Sequence, residues 1–203
     1  MILSPEQLDL FKELLNLGVG RSASLLNQLT NFHFKLKTLN IRMENIHSIK
    51  KDLISGQNDS LSSIELGFHG EFSGIAELVL PSESAVKLTS LLTEDVKEPS
   101  DYISLKEITL SEIGNILLNS LMGMISNVLN THFNYEIPKY SEDNITTLAN
   151  QAPTSNMIVL FGEANFAIED LQIEGYIFIV LKPSAFEELK KTLDNLLNKQ
   201  TSN

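Results

Sequence analysis

Two short stretches of this chain carry a glutamate and an asparagine three residues apart. KELLNLGVGRSAS (residues 12–24) holds Glu13 and Asn16; SEIGNILLNSLMG (residues 111–123) holds Glu112 and Asn115. On a helix, residues i and i+3 are neighbours on one face, so each pair points one way. Asp9 and Gly20 lie near that face in the first stretch; in the second the stripe runs Glu112, Asn115, Asn119 beside the small residues Ser111 and Gly114. A solvated helix face would account for one such pair. Its repetition at matched positions argues for more, because asparagine is a poor helix former and costs something each time. One carboxylate and one amide are too few parts for most reactions. There is no second carboxylate for a glycosidase and no serine or cysteine nucleophile in a motif with histidine. The histidines, His33, His47, His69 and His132, lack metal-ligand spacing, and no glycine-rich phosphate loop occurs. An amide can, however, hold a water in line with a phosphorus, and a carboxylate can pair with a lysine on a partner. That is the chemistry of completing another protein's active site, and it needs no cofactor or metal of the chain's own.

The elements that would carry these pairs are legible. Ser4-Pro5-Glu6-Gln7 starts a helix: serine suits the N-cap, proline the first turn, and Gln7 completes a capping box. Apolar residues then recur at helical spacing to about Leu29. Ser104 with Glu107 reads as a second capping box, opening a helix from about Leu105 to Leu129. NFHFKLKTLNIRMENI and NTHFNYEIPKY alternate as strands do. SIELGFHGEFSGIAELVL and NMIVLFGEANFAIEDLQIEGYIFIVL read as hairpins, the first turning near Gly70 to Gly74. PSESAVKLTSLL and PSAFEELKKTLDNLL read as helices, and residues 50–63, 93–104 and 141–154 as loops. The order helix, strand, hairpin, helix therefore occurs twice. An offset of 99 lays Glu13 on Glu112, Asn16 on Asn115, and His33 on His132; the two histidines fall where helix passes into strand and read as structural. This predicts an internal duplication, with halves 1–92 and 104–197 of a single domain 1–203 sharing one continuous sheet.

Composition limits the partners. The chain has 203 residues, 42% of them hydrophobic, and a net charge of −11. That excess of acid disfavours nucleic acid and anionic membrane surfaces, and favours a partner with a basic patch. Without cysteine there is no disulfide framework and no thiolate site. No uninterrupted apolar run approaches ~20 residues, and MILSPEQ lacks the pattern of a signal peptide, so a cytoplasmic protein is expected. The polar tail NKQTSN is expected to fray.

KELLNLGVG and SEIGNILLN, in this doubled context, resemble the CheC family of bacterial chemotaxis phosphatases, whose relatives are CheX and the flagellar switch protein FliY. The family pattern is Asp or Ser, three residues, Glu, two residues, Asn, then some 22 residues to a proline. The first copy offers Asp9, Glu13 and Asn16, with Leu39 where the proline belongs and Leu15 where glycine is usual. The second offers Glu112, Gly114, Asn115 and Pro138, with Ile108 in the leading position. Keeping the glycine and the proline makes the second copy the expected better site, and Leu15 is expected to obstruct a partner at the first. The resemblance implies an α/β fold of the α+β type: two pseudosymmetric repeats, a six-stranded sheet, and the Glu-Asn helices side by side. It implies a hydrolase for the phosphoaspartate of a CheY-like response regulator in two-component signalling, with Mg²⁺ supplied by the regulator. Glu112 or Glu13 would pair with the regulator's lysine, and Asn115 or Asn16 would orient the attacking water. The alternative is a non-catalytic docking module for a regulator or for CheD, a partner of some family members. Both pairs being intact favours catalysis, and a FliY- or FliM-like switch protein would be expected to carry a further C-terminal domain.

Overall fold

The computed structural model describes residues 2–30, 32–44, 60–93, 99–144, 158–168 and 171–200. In chain order the elements are α1 (Pro5–Leu29), β1 (Phe34–Glu44), β2 (Ser60–Gly70), β3 (Gly74–Pro81), α2 (Ser82–Leu92), α3 (Pro99–Leu129), β4 (Phe133–Tyr135), β5 (Lys139–Asn144), β6 (Ile158–Ile168), β7 (Leu171–Leu181) and α4 (Pro183–Gln200). The start of α1 is the expected capping box: Gln7 N donates to Ser4 Oγ at 3.2 Å, and Ser4 N donates to Gln7 Oε1 at 2.8 Å. Helix α3 departs from expectation. It begins at Pro99, so Ser104 lies inside the helix and is exposed. Pro99-Ser100 is a third Pro-Ser start, and proline in the first turn loses no hydrogen bond. The expected loops shorten accordingly: residues 60–63 belong to β2 and 141–144 to β5, while residues 50–59, 94–98 and 145–154 lie outside the described residues.

All pairings in the sheet are antiparallel, in the order β1-β6-β7-β3-β2, with β4 and β5 sharing the last position beside β2. The strand after each Glu-Asn helix pairs with the other repeat's hairpin: β1 runs along β6, and β4 with β5 run along β2. The two hairpins meet at β3 and β7 in the centre. NTHFNYEIPKY is thus two strands rather than one. Pro138, which has no N–H to offer a ladder, ends the run, and Glu136 N still donates to Gly67 O at 2.9 Å. On the opposite edge β1 is continuous but carries a bulge between Leu36 and Thr38.

Alternation assigns the sheet faces. Ala76, Leu78 and Leu80 of β3 face the helices and join Phe11, Leu14, Val19, Leu117, Leu121, Ile64, Phe68 and Ile177 in the main core. Full burial of each large apolar side chain is worth about 1.5–3 kcal/mol. Residues 102–129 are long and apolar enough to cross a membrane on length and composition, although charged and polar residues interrupt them; here their apolar side chains fill this core. The other face carries a smaller cluster, Leu61, Val79, Val159, Phe178 and Val180. Glu77 sits on that face opposite Glu65, and burial pushes its carboxyl up to about 7 against a lowering hydrogen bond from Ser63.

Candidate functional site

Helices α1 and α3 lie against each other and antiparallel. A Cβ on Gly18 would stand 2.9 Å from Leu121 Cα, and Ser22 Oγ donates to Leu117 O at 3.1 Å. At the 99-residue offset Gly18 corresponds to Leu117 and Ser22 to Leu121. The two contacts are therefore images of one another, and a pseudo-two-fold axis passes between the helices. This contact places both Glu-Asn pairs on one helix layer.

In the first copy Asp9, Glu13 and Asn16 are all exposed, and Lys12 Nζ stands 3.7 Å from Asp9 Oδ1. Neither Glu13 nor Asn16 bonds another side chain among the described residues, so the Asn16 amide can rotate to present its oxygen or its nitrogen. In the second copy Glu112 is exposed but Asn115 is half-buried. Asn119 Nδ2 donates to the backbone oxygen of Asn115 at 2.9 Å and also to Asn115 Oδ1. A backbone carbonyl only accepts, so the Asn119 atom facing it is the nitrogen, and the Asn115 atom facing that nitrogen is its oxygen. Asn115 is thereby held with its amino group as the unengaged end. The first copy has Gly20 where the second has Asn119, and so has no such tether.

Leu15 and Gly114 do not act as expected. Leu15 is 3% exposed and lies in the main core, so it cannot obstruct a partner. Gly114 is also buried: a Cβ there would stand 2.7 Å from Ile64 Cγ2. Both residues are buried, and neither opens nor closes a docking face. Pro138 and Leu39 likewise belong to the sheet edges, not to the helix layer. Ile108, which stands where the pattern has Asp or Ser, is 64% exposed one turn before Glu112 and puts an apolar side chain on the surface beside the second pair.

Between the helices lies an open cleft of about 400 Å³. Asn115, Asn119 and Ser120 line it from α3, and Arg21, Leu25 and Leu29 from α1. Arg21 and Ser120 were not legible as site residues, because nothing in the sequence shows which turn of α1 faces which turn of α3. His33 and His132, both exposed, sit just before β1 and β4 and are not part of this layer.

No protein-family model matches the chain. A Bacillus subtilis protein named CheY-P phosphatase CheC is 26% identical over 145 residues, which are 68% of this chain and 67% of that protein. The crystal structure of Thermotoga maritima FliY superposes with a TM-score of 0.75 at 19% identity, covering 97% of this chain and all of that one. The chain has the fold of FliY. The FliM middle domain of Vibrio alginolyticus has the same fold, with a TM-score of 0.63 at 14% identity over 90% of this chain and 99% of its own. A CheC/FliY-type fold therefore carries, in this chain, one open Glu-Asn pair on α1 and one tethered pair on α3.

Proposed function

We propose that this chain is a cytoplasmic phosphatase that removes the phosphoryl group from the aspartate of a CheY-like response regulator. The observation that carries the reading is the helix layer itself: Glu13, Asn16 and Glu112 stand exposed, with Asn115 beside them, on two adjacent helices. The relative named CheY-P phosphatase CheC supports it. In this reading Glu13 or Glu112 pairs with the regulator's lysine and fixes the docking. An asparagine then holds a water whose lone pair points at the phosphorus. The water's hydrogen is best accepted by an amide oxygen, since a donor would occupy the attacking lone pair. Asn16 is free to offer that oxygen; Asn115 has its oxygen engaged by Asn119. The first pair is therefore the better hydrolytic site and the second the weaker, the reverse of what Gly114 and Pro138 suggest in the sequence. The regulator brings the Mg²⁺ that neutralises phosphoryl charge, and this chain brings none of its own. We take residues 1–92 and 104–197 as the two duplicated halves of one domain, each supplying one pair.

A second reading is a docking module that binds a regulator, or CheD, without hydrolysis. The high coverage of the FliY and FliM structures favours it, since the FliM fold is shared nearly end to end. The decay of a radiolabelled phospho-regulator from the same genome separates the two. Faster decay in the presence of this chain supports the phosphatase; binding with unchanged decay supports the module.

A further inference from the structure

The cleft between α1 and α3 presents hydrogen-bond donors. Arg21 is exposed at its rim and, among the described residues, has no carboxylate partner, whereas Lys87 and Lys106 hold Glu83 and Glu142 at 2.6 Å. An unpaired guanidinium is notable in a chain of net charge −11. The tether from Asn119 engages the Asn115 oxygen and leaves its amino group without a hydrogen-bond partner among the described residues. Ser120 Oγ has no hydrogen-bond partner among the described residues and is shielded from solvent, so it meets an incoming acceptor by rotating about its χ1 bond. Leu25, Leu29, Ile116, Asn119, Gly123 and Asn127 line the rest of the cleft.

We propose that this cleft is an oxyanion subsite for a phosphoryl group, with Arg21, the Asn115 amino group and the Ser120 hydroxyl as its donors. The planar fork of arginine matches two phosphoryl oxygens at once, which a lysine does not. The tether occurs once only. At the 99-residue offset Arg21 and Ser120 exchange places, while Asn119 becomes Gly20, so the image of the cleft beside Asn16 lacks the tether. The second copy then grips a phosphoryl group while the first hydrolyses one. The phosphoryl group has two possible sources, a phosphoaspartate on a docked regulator or free inorganic phosphate. Only the first of these rests on the phosphatase reading.

The test is a titration of the full chain with inorganic phosphate, followed by NMR at the side-chain amide of Asn115 and the Nε–H of Arg21. Saturable shifts at both are expected, with affinity reduced roughly 10-fold in R21Q, less in R21K, and about 3-fold in S120A, as for loss of a charged and a neutral hydrogen bond respectively. Arg21 is exposed, so R21Q keeps the wild-type thermal midpoint. In a second arm, beryllofluoride-activated regulator is bound to N16A and to N16A/R21Q. Weaker binding by the latter assigns the phosphoryl group to the regulator; equal binding, with phosphate affinity still dependent on Arg21, assigns it to free phosphate. Both results support the subsite. No shift at Asn115, or equal phosphate affinity in R21Q and wild type, overturns it. A regulator that docks but keeps its phosphoryl group would instead remove the phosphatase reading and leave the subsite standing.

Discussion

The first and second Glu-Asn regions begin from the same motif and end in different states. On α1 the asparagine is exposed and bonds no other side chain among the described residues; on α3 it is half-buried and held by Asn119, with Arg21 lining the same cleft. The glutamate and the asparagine are unchanged between copies. Besides the leading residue, Asp9 against Ile108, what differs around them is the residue one turn later, Gly20 against Asn119, and the residue opposite, Ser120 against Arg21. The two Glu-Asn pairs thus differ in the residues that hold the asparagine amide.

The comparison breaks most severely if Leu15 and Gly114 shape docking after all. Leu15→Ala is expected to cost about 2–5 kcal/mol of stability through the cavity it leaves. For a chain of this size that lowers the thermal midpoint by roughly 2–4 °C per kcal/mol. Gly114→Ala, forced against Ile64, is expected to cost about 1–3 kcal/mol. Calorimetry alongside regulator binding checks this: a variant that keeps its midpoint but loses the regulator would return the residue to the docking face.

Glu77 supplies a control on the opposite sheet face. Its folded carboxyl titrates at about 7 against 4.5 as the ordinary value. The native state therefore binds the extra proton between those values, and stability falls as pH rises through that window. Glu77→Gln should stabilise the fold at pH 8 by up to about 3 kcal/mol and have no effect at pH 4. Neither Glu-Asn pair lies on that face, so dephosphorylation at fixed temperature should not change. Denaturant unfolding at the two pH values reads the first effect; a pH-independent gain would contradict the assignment.

A smaller effect sharpens the tether. In an Asn16→Ala background, Asn119→Ala frees the Asn115 oxygen, and phospho-regulator decay should quicken about 2- to 10-fold, the worth of one neutral hydrogen bond. A slower decay would mean that the tether aims Asn115 productively.

Much of this could be read from the sequence because it is local. The Ser4 capping box, the turn between Gly70 and Gly74, the hairpins and the duplicated Glu-x-x-Asn spacing each depend on residues a few positions apart. The misreadings were of two kinds. Ser104-Glu107 has the form of a cap but lies inside a helix that Pro99 had already begun. Leu15 and Gly114 sit beside the motif in sequence, yet both are buried, Leu15 in the main core and Gly114 against Ile64. The exchange of β1 and β4–β5 between repeats, and the meeting of Arg21 with Asn115, depend on pairings across half the chain, which periodicity does not report.

The most direct measurement is the decay of a radiolabelled phospho-regulator with wild type, Asn16→Ala, Asn115→Ala and the double variant, over a range of regulator concentrations. The account predicts that Asn16→Ala loses more of the acceleration than Asn115→Ala. The double variant should return decay to the regulator's own rate, a loss on the order of 10²-fold, as for other single positioning or electrostatic groups. A larger loss from Asn115→Ala would contradict the order of the sites. An unimpaired double variant would contradict hydrolysis by this chain and leave the docking module.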